Sequence, residues 1–208
     1  MKVALKVLLV AVILLLVYMC YRSIMGPIEF KAEKELRENA IIARLMDIRK
    51  AQIEYKNVHK EHAGSFNDLI KFLNEEKLPF LIKEGVLTDE QLEKGMTEKE
   101  AVKKGLIRRD TVWVLAKDTL FGKSYDVNEL KTVPGTQTPF FMDTTTLVST
   151  SGYTVKVFEA NVKYNDYLSD LDKQLVFNLN DKAEKQSKFP GLSVGSLTEI
   201  NNNAGNWE

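Results

Sequence analysis

An unbroken apolar run near the start of the chain limits the fold more than any other feature. Residues 3–21 read VALKVLLVAVILLLVYMCY, and no charge follows Lys6 within them. As a helix, these residues span about 28 Å, which is close to the hydrocarbon thickness of a bilayer. Lys6 suits one membrane interface, and Tyr18 and Tyr21 suit the other. The run predicts one transmembrane helix that contacts lipid through residues 3–21.

The residues at the end of the run decide between a retained anchor and a cleaved signal. A secretory signal has small residues at its cleavage site, whereas Tyr18, Met19 and Tyr21 are bulky. A lipoprotein signal needs small residues just before its cysteine, and Cys20 follows Met19. We therefore expect an uncleaved signal anchor, with a lipoprotein or another form of processing as the alternatives. Basic residues lie on both sides of the run, so the positive-inside count does not settle the orientation. The short basic N-terminus, the absence of other predicted spans and the signal-anchor shape favour a domain outside the cytoplasm.

The composition beyond the anchor is typical of a globular domain. Apolar residues make up 44% of the chain and charged residues 28%, which allows a packed core. Lys+Arg and Asp+Glu both number 29, so the chain lacks the basic excess of a nucleic-acid-binding protein. The single cysteine, Cys20, lies in the apolar run, so we predict no internal disulfide.

Behind the anchor, the sequence predicts a long helix and then a mixed domain. Gly26-Pro27 predicts a break, after which residues 28–62 are helix-forming and begin with charged turns that resemble a stalk. The predicted organisation has three parts, namely an anchor (1–21), a stalk with a long amphipathic helix (22–62), and a soluble α+β domain with a polar C-terminal tail (63–208).

Shorter signals predict the elements of that domain. Ser65 with Asp68 predicts a capped helix through Leu73. Two capping boxes occur, at Thr88 with Gln91 and at Thr97 with Glu100. Strand-forming segments come later in the chain, at 111–117, 140–150, 153–162, 175–179 and 192–197. Because short helices precede the strands, the sequence predicts an α+β fold with a small antiparallel sheet.

Two apolar features are candidate contact sites. An inner stripe along the long helix consists of Ile41, Leu45, Ile48 and Tyr55 at helical spacing. It either packs on the sheet of its own domain or pairs with a second copy of the chain. Trp207, in the polar tail, either covers the surface of the domain or contacts a partner protein.

The sequence offers no convincing catalytic or metal site. Residues 191–195 match G-x-S-x-G, but that hydrolase motif joins a strand to a helix and needs a histidine. No histidine follows His62. His59 and His62 are three residues apart, whereas helical zinc proteases use an i,i+4 pair. We predict no catalytic, cofactor-binding or metal-binding residues, and a hydrolase that uses Ser193 is the weakest alternative.

Three stretches carry a resemblance to known proteins. Residues 44–52 (RLMDIRKAQ), 105–111 (GLIRRDT) and 190–199 (PGLSVGSLTE) resemble stretches of an uncharacterised family of single-pass, membrane-anchored envelope proteins from Gram-negative anaerobes. The resemblance implies an anchor in the inner (cytoplasmic) membrane and a periplasmic C-terminal domain, without an activity.

The predicted architecture also resembles that of type IV pilins and pseudopilins, in which an apolar helix continues into an amphipathic helix and then a sheet. Pilins are cut just before the apolar segment and carry a glutamate near its start. This chain departs from that pattern, because no Gly-Phe or Gly-Met site precedes Val7 and Glu29 comes after the span.

These observations predict a non-enzymatic, membrane-anchored envelope protein that acts as a scaffold or assembly component through protein–protein contacts. Its expected partners are the bilayer, other envelope proteins and further copies of itself, and nucleic acid is not among them. The first alternative is a pilin-like subunit that self-assembles through the inner stripe. The second is a cryptic serine hydrolase.

Overall fold

The structure, a computed structural model, describes residues 2–84, 95, 97–106 and 108–208. It combines helices with small antiparallel sheets, which confirms the predicted α+β class. The chain forms two compact units. The first consists of Met1–Gly64 and Glu129–Glu208, and the second is Ser65–Asn128.

The described elements follow one another along the chain as α1 (Lys2–His59), α2 (Phe66–Glu75), β1 (Lys77–Glu84), α3 (Glu98–Lys103), β2 (Arg108–Leu115), α4 (Ala116–Leu120), a 3-10 helix (Val127–Lys131), β3 (Phe141–Val148), β4 (Thr154–Lys163), α5 (Tyr164–Tyr167), α6 (Lys173–Lys185) and β5 (Gly191–Gly195).

The first element, α1, is one unbroken helix of 58 residues with Pro27 inside it. The predicted break at Gly26-Pro27 is therefore wrong. A proline ring clashes with the Cβ and N–H of the residue before it when that residue is helical. Gly26 has no Cβ, so part of the clash is absent and the helix continues. Pro27 still has no N–H to donate to the carbonyl of Ser23, four residues earlier.

The second unit is built around a two-stranded antiparallel sheet. Strands β1 and β2 pair along eight residues each, and α2 and α4 contact this pair. The Ser65 side chain accepts a hydrogen bond from the Asp68 N–H, which confirms the predicted cap of α2. Thr97 and Glu100 form the predicted reciprocal capping box. The other predicted box, at residues 88 and 91, lies outside the described residues.

The first unit contains a three-stranded antiparallel sheet in the order β3-β4-β5. Strand β3 pairs with β4 along all eight of its residues. The turn between them uses Gly152, whose φ of 81° favours glycine. The predicted hairpin is confirmed, and β5 accounts for most of the strand predicted at 192–197.

The strand predicted at 175–179 is wrong, because these residues belong to α6. Asp172 caps this helix by accepting hydrogen bonds from the N–H groups of Gln174 and Leu175. Val176 and Ala183 are buried and lie seven residues apart, which is two helical turns. The cap and this buried face outweigh the strand preference of the segment LVFNL.

The core of the first unit forms where α1 contacts β4 and β5. Ile41, Leu45 and Ile48 have no exposed surface. Gln52 is also fully buried, and its side-chain amide makes two hydrogen bonds of 2.9 Å with the backbone of Ala63. This pairing ties the chain just after α1 back onto the helix.

His62 is a buried histidine whose ring nitrogens are poorly satisfied. It is 6% exposed and packs on Phe158, with ring centroids 4.8 Å apart. Neither ring nitrogen makes a hydrogen bond of standard geometry, although the backbone of Gln52 lies close enough to raise the pKa a little. Burial, and then the charge of Lys56, lower the pKa of His62 from 6.5 to about 4.

Acidification should therefore weaken the fold before most carboxylates titrate. Because the pKa of His62 is lower in the folded state, its contribution to stability is complete above pH 6.5 and is lost as the pH falls towards 4. At about 1.4 kcal/mol per pKa unit, this loss is on the order of 3 kcal/mol. The measurement is the free energy of unfolding of the full chain in detergent, by denaturant titration at several pH values.

Two variants identify the titrating group. His62→Phe should remove most of the pH dependence between pH 6.5 and 4.5, since no imidazole is left in the buried position. The matched variant His59→Gln, at an exposed position, should keep it. An unchanged pH dependence in His62→Phe would contradict the assignment.

Candidate functional site at the junction of the anchor helix and the sheet

The first half of α1 makes no core in this chain. Every side chain from Leu5 to Tyr21 is exposed. The helix contains an 18-residue window that is long and apolar enough to cross a membrane, and none of that window is buried within the chain. The same helix then enters the core of the first unit, so one rigid element joins the apolar segment to the sheet.

Arg37 connects α1 to the segment between α5 and α6. Its guanidinium binds both carboxylate oxygens of Asp170, at 2.6 and 2.8 Å, and donates to the carbonyl of Tyr167 at 2.7 Å. Its Nε donates to Glu33 at 2.8 Å. This bidentate arrangement fixes orientation as well as distance. Asp170 is exposed, so the charge attraction alone contributes little, and the hydrogen bond to the backbone matters more.

Glu38 makes a second connection one residue further along α1. The hydroxyl of Tyr167 donates to Glu38 at 2.8 Å, and Lys34 binds the other carboxylate oxygen at 2.6 Å. Tyr167 is 1% exposed. Burial, and then the charge of Glu38, raise the pKa of Tyr167 well above its usual range. The hydroxyl therefore keeps its proton and remains a donor at every physiological pH. We call Arg37, Glu38, Tyr167 and Asp170 the clasp.

The polar tail folds back onto β5. Asn206 donates its backbone N–H to the carbonyl of Ser193, and its side-chain oxygen accepts the Ser193 N–H. Arg49 of α1 binds Glu208 at 2.6 Å. Trp207 is half-buried, and a Cβ on Gly205 would overlap its indole ring. The tail therefore covers the outer edge of β5, and Trp207 lies against its own chain.

The structure places most of the predicted contact stripe inside the protein. Ile41, Leu45 and Ile48 are fully buried, while Tyr55 is half-buried and stacks on His59 with ring centroids 4.2 Å apart. The stripe therefore packs on its own domain, which was one of the two alternatives. A second copy cannot contact the three buried side chains unless the core opens.

An exposed apolar face runs along the other side of α1. At 100° per residue it lies roughly 180° around the helix from the inner stripe. We call it the outer face, and it consists of Ile28, Ala32, Leu36 and Ala43, all exposed. Leu36 is 67% exposed. This face was not predicted from the sequence, because charged residues between its members conceal the helical period of the apolar ones.

The two glycines of the G-x-S-x-G match are explained by the close packing of β5 on β4. Ser193 lies in the middle of β5, and no helix follows it in residues 196–208. A Cβ on Gly191 or Gly195 would overlap a backbone carbonyl of β4, so both glycines permit close pairing of the strands. Within the described residues, no group of three His, Cys, Asp or Glu side chains could hold a metal ion.

No protein-family model, curated protein or solved structure matches the chain.

Opening the clasp should destabilise the first unit. Arg37→Gln removes the three hydrogen bonds of the guanidinium to Tyr167 and Asp170, and we expect the free energy of unfolding to fall by about 1–2 kcal/mol. The measurement is denaturant titration of the full chain in detergent at pH 7. Lys50→Gln is the matched control, because Lys50 is exposed and its ion pair with Asp47 is long, at 4.0 Å. Equal effects of the two substitutions would contradict a special role for Arg37.

Proposed function

We propose that this protein is a single-pass, non-enzymatic component of the bacterial envelope that presents its folded domain to protein partners at a fixed orientation to the membrane. The proposed location is the cytoplasmic membrane of a Gram-negative cell, with the domain in the periplasm. The observation that carries the proposal is the single helix α1, whose first half is exposed and apolar and whose second half lies in the core.

A scaffold needs a defined orientation, and α1 with the clasp supports one. A flexible linker between anchor and domain would let the domain rotate freely. Here α1 continues without interruption from the apolar segment to the part that packs against the sheet. Arg37 and Glu38 hold it to Tyr167 and Asp170. A surface of the domain therefore keeps its height and direction relative to the bilayer, which suits assembly with other membrane-bound proteins.

Self-assembly is the second candidate, and the outer face favours it. Leu36 and Ile28 are exposed large apolar side chains, while Ala32 and Ala43 are small enough for two helices to approach closely. Copies inserted in one membrane with the same orientation would bring equivalent residues to the same height. The self-assembling alternative therefore moves from the inner stripe to the outer face.

One crosslinking experiment tests both candidates. A photo-reactive amino acid replaces Leu36 in the tagged full-length protein, and captured proteins are identified by mass spectrometry after irradiation of intact cells. The matched control carries the same amino acid at Lys185, which is exposed on α6. The scaffold proposal predicts a defined set of envelope proteins at position 36 that the control does not capture.

Other crosslinking results would favour self-assembly or contradict both candidates. Capture of only its own copies at position 36 would replace the scaffold proposal by self-assembly. The double variant Arg37→Gln, Asp170→Asn should reduce specific capture, because the domain then loses its fixed orientation. Identical products at positions 36 and 185 would contradict both candidates.

A further inference from the structure

A groove separates the membrane-proximal part of α1 from the start of α6. It has a volume of about 900 Å³. One wall runs along α1 from Tyr18 to Glu33, and the other runs from Asp170 to Leu175. Both walls belong to the first compact unit. The groove is therefore formed jointly by the anchor helix and the folded domain.

The groove lies where the headgroups of a bilayer would be. The α1 wall begins with Tyr18 and Tyr21, which lie at the end of the predicted span. Residues 22–26 then rise by about 7.5 Å along the helix, and the headgroup layer on each side of a bilayer is of similar thickness. If α1 spans the membrane to Tyr21, headgroups of the same leaflet face the opening of the groove.

The charges in the groove suit a dipolar ligand. Arg22 can bind a phosphate, and within the described residues it forms no ion pair with a carboxylate; the Tyr18 hydroxyl accepts one of its N–H groups at 3.3 Å. Glu29 and Asp172 also line the groove. Two further carboxylates there, on Glu33 and Asp170, are already bound by Arg37.

The helix backbone adds an acceptor to the same wall. Ser23, Gly26 and Pro27 all line the groove. Because Pro27 has no N–H, the carbonyl of Ser23 lacks its usual helical donor. A ligand with several N–H groups could supply that donor and also reach the carboxylate of Glu29. Choline has no N–H, and an anionic glycerol headgroup has no positive charge for the carboxylates.

We propose that this groove binds the headgroup of one phosphatidylethanolamine molecule from the surrounding leaflet, with its phosphate on Arg22 and its ammonium group on Glu29 and the carbonyl of Ser23. The proposal rests on the proposed membrane insertion of α1. The bound lipid fills the space between the anchor and α6, so it supports the fixed orientation of the domain.

Native mass spectrometry of the full-length protein tests this proposal. The protein is reconstituted in nanodiscs of equal parts phosphatidylethanolamine and phosphatidylglycerol, released into detergent, and the retained lipids are identified. We expect one retained phosphatidylethanolamine per chain. Arg22→Gln should lower its retention about tenfold, which corresponds to about 1.4 kcal/mol, whereas the matched Lys31→Gln, on the opposite side of α1, should have no effect.

A groove-filling variant tests the geometry independently of charge. Ser23 lines the groove and is exposed, so Ser23→Leu places a larger side chain in the groove and should also lower retention. Failure to enter nanodiscs would contradict membrane insertion and hence the proposed function. An inserted protein that retains no lipid, retains phosphatidylglycerol equally well, or is unaffected by Arg22→Gln and Ser23→Leu would overturn the lipid site alone.

Discussion

The packing of the second half of α1 against β4 and β5 is the contact on which the rest of the first unit depends. Ile41, Leu45 and Ile48 lose all their exposed surface there, and each buried aliphatic side chain contributes about 1.5–3 kcal/mol. The first half of the same helix has no such partner within the chain and is apolar enough to sit in lipid. One helix is therefore suited to two different environments, and the spacing between its two parts is fixed by the helix itself.

The clasp converts that packing into a defined orientation. Apolar packing is non-directional, so a helix on a sheet can slide or rotate by small amounts at modest cost. The bidentate pairing of Arg37 with Asp170 and the hydrogen bond from Tyr167 to Glu38 have strict geometry. They act close to the point where α1 leaves the core towards the apolar segment. The groove takes its position from this arrangement, because Asp170 lies in one wall and α1 forms the other.

Simple local patterns predicted several features correctly, whereas two local exceptions to those patterns and the long-range contacts were missed. The apolar run, the Ser65 cap and the β3–β4 hairpin follow from residues close together in the chain. The continuity at Pro27 depends on the absent Cβ of Gly26, which the rule for prolines in helices does not consider. The helical state of residues 175–179 depends on the cap at Asp172. Arg37 and Asp170 are 133 positions apart, and no periodicity in a single sequence links them. The strand β1 also escaped prediction, because its pairing with β2 is a long-range contact.

The central claim is that α1 and the first unit form one rigid body from the bilayer to the sheet. The most direct measurement is the distance distribution between two spin labels, by pulsed electron paramagnetic resonance, in full-length protein in nanodiscs. Cys20→Ser removes the native thiol, and Ile24→Cys and Lys185→Cys place one label before Pro27 and one on α6. We expect a single narrow distance distribution, which broadens when Arg37→Gln is added. A broad or two-peaked distribution in the otherwise native protein would contradict it, since the anchor would then bend at Pro27 and the domain would have no fixed orientation.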